Sequence, residues 1–168
     1  FLMTECKPKP IEFHALGNRD VSHFDGGDIT SDAGGLMLRE VEQRTGILKQ
    51  FAACFTDYRN PKMIEHPMED LVAQRVYGLC LGYEDLNDHD QLRSDPVLAV
   101  MVGKTDPKGE HRREERDRGK ALAGKSTLNR LELTRADASV EERYKKIAMN
   151  PESIDQLMRH FLVVLDGM

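Results

Sequence analysis

Along most of the chain apolar residues recur at three- and four-residue spacing, the period of helices that bury one face. The clearest case follows Pro67, where Met68, Leu71, Val72, Val76, Leu79 and Cys80 keep that spacing up to Gly82. Pro67 suits a first turn, and Glu69 and Asp70 suit the positive end of a helix dipole, so a core helix is predicted. Upstream, Ser31 or Asp32 can cap a helix that turns Leu36, Met37 and Val41 inward and stops at Gly46. A second short helix over 47–55 is expected to pack back on it. Downstream, Asp95 and Pro96 open an apolar helix over 97–102 that Gly103 ends. Ser139 and Glu142 form a capping box for a helix to about Met149, and Asn150-Pro151 caps the last helix. There Ile154, Leu157, Met158, Phe161, Leu162 and Leu165 share one face. The pattern predicts an unbroken helix from Pro151 to about Leu165 that buries Leu157, Phe161 and Leu162.

Two stretches break the helical rule. Val21 to Phe24 and the residues after the Gly26-Gly27 turn read as short extended pieces, a small N-terminal β-hairpin within 11–30. Residues 104–119 carry nothing apolar to bury and read as a loop or a solvated helix. The fold class expected is therefore mainly α, a helical domain with a short N-terminal β-hairpin. No internal repeat is visible.

Composition narrows the function classes. At 168 residues the chain is the size of one domain, and with aromatics at 6% and no Trp its core must come from Leu, Val, Ile and Met. A net charge of -5 argues against a whole-surface nucleic-acid binder. Its distribution says more: residues 104–135 hold ten Lys or Arg against six Asp or Glu, a local excess of +4 in an acidic chain. A localised basic stretch is the form a phosphate-facing surface takes. Three cysteines without a C-x-x-C pair point to a reduced, cytoplasmic protein with neither a disulfide frame nor a zinc site. No apolar run approaches the roughly 18 residues of a membrane span, and the basic-then-apolar order of a signal peptide is missing, so no membrane partner is expected.

Candidate chemistry concentrates in that basic stretch. Leu122 to Leu131 reads as the end of one helix, a turn at Gly124, and a second helix capped by Ser126, a helix-turn-helix-like unit. Asn129 and Arg130 can pair with adenine and guanine edges, whereas Lys125, Ser126 and Thr127 suit phosphate. An ordinary helical corner with a solvated polar face fits the same residues. Arg112, Arg113, Arg116 and Arg118 could track a phosphate backbone, although the interleaved Glu and Asp also fit ion pairing along a solvated helix. Asn87, Asp88, His89 and Asp90 have metal-ligand residue types, yet consecutive positions diverge on a helix, and a cap or surface network accounts for them better. Asp25 and Asp28 flank the two glycines without the spacing of a calcium loop, and turn formation explains them. Phosphate-loop, zinc-protease, serine-hydrolase and kinase signatures are absent.

Three blocks in order carry a resemblance. Phe24 to Glu40, with its DGGDITSDAGG run, resembles the opening of group 1 DDE transposases of bacterial insertion sequences. Gly82 to Arg93, GYEDLNDHDQLR, resembles that family's most recognisable N-terminal stretch, and Leu122 to Glu132 its helix-turn-helix-like segment. The resemblance implies DNA transposition, in which two Asp and one Glu on an RNase H-like fold hold two metal ions, Mg in the full-length family. It further implies that the present chain is the DNA-binding or assembly portion, with residues 1–20 a tail and 21–168 an N-terminal helical domain ending before the catalytic core. The RNase H-like fold is expected to be absent or only begun, with no complete catalytic set and no cofactor in this chain. Asp166, after Val163-Val164-Leu165, is the one candidate for the first catalytic Asp, and the unbroken helical phase before it favours a helix end. DNA bearing terminal inverted repeats is the implied partner, and a homodimer or contact with a full-length transposase is the other. A protein-interaction module for dimerisation or regulation, or a decayed transposase fragment without its own DNA specificity, is the competing reading, which an exposed apolar face on the last helix would favour.

Overall fold

The computed structural model describes residues 31–133, 137, 139, 141–142 and 146–166, with the short pieces 11–12 and 21–22; side-chain surroundings are described between 31 and 161. Its organising element is the helix predicted after Pro67. This helix, α3, spans Met68–Cys80 and carries Glu69 and Asp70 in its first turn. Leu71 and Val72 are essentially sealed from solvent. Leu71 joins Ala123, Leu128 and Ile147 in one apolar cluster, while Tyr77 joins Leu36, Leu92, Leu98, Met101 and Leu122 in another. One helix thus serves both halves of the core. Leu79 and Cys80 were expected in that core but are exposed, because the last inward turn of α3 is made by Tyr77 and Gly78.

Before α3 lie α1 (Leu36–Thr45) and α2 (Ile47–Ala52), separated by Gly46 in the left-handed conformation that glycine tolerates best. Leu36 is buried as expected, but Met37 and Val41 are 64% and 53% exposed. The inward stripe runs instead through Leu36 and Arg39, whose guanidinium donates to the carbonyls of Val100 and Met101 at 2.8 and 3.1 Å. Those carbonyls end α5 (Pro96–Val102), so a cation at that helix C-terminus ties the inward face of α1 to α5. Between α3 and α5 sits the single turn α4 (His89–Leu92), and after a long loop comes α6 (Lys125–Glu132).

Residues around Met149 were expected to be helical. They form β4 (Ile147–Met149), antiparallel to β3 (Phe55–Asp57), which also takes Phe55 out of the second helix. Ser139 Oγ does accept the Glu142 amide at 3.2 Å, and 141 and 142 lie in a turn, while 140 and 143–145 of the expected helix lie outside the described residues. Long-range pairing prevails because the ladder continues on both sides, through Tyr58 N to Lys146 O and Asn150 N to Cys54 O, while fully buried Ile147 joins the Leu71 cluster. At the N-terminal end, β1 (Ile11–Glu12) pairs antiparallel with β2 (Val21–Ser22), so this pairing spans position 20; the Gly26-Gly27 turn lies outside the described residues.

The last helix, α7, runs unbroken over Pro151–Asp166, with Asn150 Oδ1 accepting the Ser153 amide at 3.2 Å as its cap. Its burial falls short of the expectation. Leu157 and Phe161 are half-buried, Met158 is 56% exposed, and the side chain of Leu162 lies outside the described residues. Among the described residues α7 packs mainly against α2, a helix of six residues beside one of sixteen. Among the described residues no helix is long and apolar enough to cross a membrane.

Candidate nucleic-acid interface

The basic stretch of the sequence is organised by polar residues of α3. Gln74 is 1% exposed, and its side chain grips the backbone of Ala123 from both sides: Nε2 donates to the carbonyl at 2.8 Å and Oε1 accepts the amide at 3.0 Å. The Leu122 amide donates to Arg93 O at 3.1 Å. Residues 121–124 are buried and not helical, and the Leu122 amide and both main-chain groups of Ala123 are bonded to other elements. The first helix of the expected helix-turn-helix-like unit does not reach Leu122-Ala123: main-chain groups engaged by α3 and by Arg93 are not in an intrahelical ladder.

The second helix of the expected unit does form. α6 starts at Lys125 after Gly124, and the capping expected of Ser126 is made from elsewhere, by Asp90 Oδ1 accepting the Lys125 amide at 3.2 Å. Leu128 is fully buried beneath the helix, and Arg75 holds its far end through an ion pair with Glu132. Arg75 also donates to the carbonyls of Tyr83 and Glu84 at 3.0 and 2.8 Å, which ties the 82–93 motif to the same helix. His89 completes the web. Its Nδ1 lies 3.1 Å from Gln74 Nε2, and because that amide nitrogen is a donor, Nδ1 accepts and the ring proton sits on Nε2. Burial, with Arg75 nearby, holds His89 below the ordinary imidazole range, which favours this neutral form. Gly78 makes room for it, since a Cβ there would lie 2.9 Å from His89 Cε1.

On α6 the candidate residues divide by face. Ser126 and Arg130 are exposed one turn apart, Thr127 and Asn129 are half-buried, and Lys125 stands at the edge. Lys125 Nζ donates to Asn87 Oδ1 at 3.0 Å and approaches Asp90 Oδ2 at 3.3 Å. The arginine run divides more sharply. Arg112 turns inward, with its side chain 12% exposed, donating to Glu65 at 2.9 Å and to the carbonyl of Lys120. Arg113 is exposed while donating to Lys62 O at 3.1 Å, Arg116 is 84% exposed, and Arg118 is exposed. Gly109 anchors this loop with φ +66, against the backbone of Lys120 and Ala121 where a Cβ would not fit.

Arg93 brings the two groups together. Its Nη2 pairs with Asp117 at 3.1 Å, next to Arg116, and its Nη1 lies 3.1 Å from where a Cβ on Gly124 would sit, at the start of α6. Sequence patterning singled out neither Arg93 nor the pair Gln74 and Arg75. Two adjacent polar residues inside the apolar period of α3 were the available signal.

The Asn87 to Asp90 cluster works as caps and struts: Asp85 Oδ1 accepts the Asn87 amide at 2.8 Å and Asp90 caps α6. No three His, Cys, Asp or Glu side chains among the described residues are grouped so as to hold a metal ion, so these residues do not fit a two-metal centre. Asp166 is the last residue of α7. Set against known families, residues 13–166 match the one described as Transposase DDE domain group 1. No curated protein and no solved structure gave a match.

Proposed function

The chain belongs to the group 1 transposase DDE family, and from that premise we propose that the described region is a DNA-recognition and assembly module of the transposase, reading terminal inverted repeats through α6. The observation that carries this reading is the convergence on Arg93 of the exposed arginines beside Asp117 and the start of α6. Arg113, Arg116 and Arg118 supply sequence-independent attraction to phosphate. Asn129 and Arg130 offer the hydrogen-bonding geometry for adenine and guanine edges. Arg112, turned inward on Glu65, is a strut of the loop and not a phosphate contact. The reading assigns recognition, not strand cleavage, to these residues.

The test is a fluorescence-anisotropy titration of the full chain on duplexes carrying the element's ends and on shuffled duplexes. Asn129→Ala and Arg130→Ala are expected to cost roughly 1 to 3 kcal/mol on the cognate duplex and little on the shuffled one. Arg116→Ala weakens both alike and lowers the slope of log affinity against log salt by about one. Equal losses on both duplexes from all three variants would reduce α6 to a generic basic surface. A second reading, a dimerisation or regulatory face, is favoured by one observation, the exposure of Met158 beside half-buried Leu157 on α7.

A further inference from the structure

Lys125 is the first residue of α6, and it is held twice by the 82–93 motif. Asp90 accepts its amide through Oδ1 and faces its ammonium through Oδ2, while Asn87 accepts from the same ammonium. Asn87 is itself fixed, its amide and side-chain nitrogen both donating to Asp85 Oδ1 at 2.8 and 2.9 Å. The contact is therefore a clamp whose far side is itself held by hydrogen bonds. Both Lys125 and Asp90 remain nearly half exposed, so a phosphate oxygen can compete with the carboxylate for the ammonium. The carboxyl of Asp90 lies below its ordinary range, first because it accepts the Lys125 amide and then because it faces the Lys125 side chain, which keeps it ionised at neutral pH.

On the footing of the DNA-recognition reading, we propose that Asp90 is a specificity-setting residue that withholds Lys125 from DNA phosphate. A carboxylate at the leading end of α6 offsets one cation and repels a backbone that approaches without base contacts to hold it. Random DNA gains nothing to displace Asp90, whereas a cognate site engaging Asn129 and Arg130 brings a phosphate close enough to do so. The clamp thus lowers sequence-independent affinity more than specific affinity.

The test uses the full chain with Asp90→Asn, Lys125→Met and the double variant, titrated on random and end-bearing duplexes over roughly 50 to 200 mM salt. Asn caps a helix about as well as Asp, so Asp90→Asn keeps the start of α6 while removing the charge. Expected is a three- to tenfold gain on random DNA (~, from one phosphate contact made available), a salt slope steeper by about one, and a smaller ratio of specific to random affinity. In the Lys125→Met background the same substitution should change random binding less than about twofold. An equal gain in both backgrounds would mean simple charge removal and would overturn the proposal, as would no change or a loss. A carboxyl NMR titration, which needs no DNA, should place Asp90 at higher pKa in Lys125→Met than in the wild type; identical titrations would show that the clamp does not form. DNA binding by the wild type without coupling between the two residues refutes the clamp alone, and absence of binding by every variant refutes the recognition reading with it.

Discussion

Helices α3 and α7 carry the same kind of apolar stripe and end in different environments. α3 packs against α2, α5 and α6 and seals Leu71 and Val72 completely, whereas α7 leans on α2 and leaves Met158 open. Periodicity predicts that a helix forms and which face is apolar. Whether that face is covered depends on neighbours that the stripe does not encode. The difference extends to polar residues, since α3, enclosed on several sides, can afford Gln74 and Arg75 inside its packed surface because each finds partners there.

The sharpest way to break the comparison is truncation of matched leucines. Leu71→Ala is expected to cost about 2 to 5 kcal/mol, since a fully buried side chain leaves a cavity. Leu157→Ala on α7 should cost about 1 kcal/mol or less, because a half-buried side chain loses only part of its transfer term. Urea denaturation of both variants provides the measurement; equal losses would mean that α7 is covered as well as α3.

Next in size is Gln74→Met, which preserves volume and strands the amide and carbonyl of Ala123. A loss of about 2 to 4 kcal/mol follows, with faster amide exchange at 121–124, because two buried main-chain groups lose their partner. An unchanged melting curve would show that the 121–124 segment holds itself in place.

A third effect is in pH dependence. His66, 7% exposed, is held down to about 3 by burial and by Lys104, Arg112, Arg93 and Arg59, while the unfolded chain titrates near 6.5. Its folded pKa is depressed, so the unfolded state binds more protons between those values, and stability is full above about 6.5 and falls as pH drops toward 3. Lowering pH from 7 to 5 should cost roughly 2 kcal/mol through this residue. His66→Asn should flatten that part of the profile; an identical slope in the variant would assign the acid sensitivity to other groups.

Much of the fold was legible in the sequence, and what was missed has a common cause. The helices at 68–80, 96–102, 125–132 and 151–166 follow from periodicity and from caps such as Asp95 and Asn150. The strand at Ile147–Met149 and the non-helical pair Leu122-Ala123 read as helical from local pattern because their backbone partners, 54–58 in one case and Gln74 with Arg93 in the other, lie far away in the chain. The candidate interface shows the same division. Composition located the basic stretch and the exposed side chains of α6, but the inward turn of Arg112 depends on Glu65, 47 positions away. Likewise the cap of α6 comes from Asp90 and not from local Ser126, 35 positions from the amide it receives.

In the proposed function α6 and the exposed arginine loop, not α7, face DNA. Hydrogen–deuterium exchange of the full chain, with and without an end-bearing duplex, tests it most directly. DNA is expected to slow exchange at 112–118 and 125–132 and to leave 151–161 unchanged. Unaltered exchange in both basic segments, with protection of 151–161 that grows with protein concentration in the absence of DNA, would contradict it and identify the region as an interaction module.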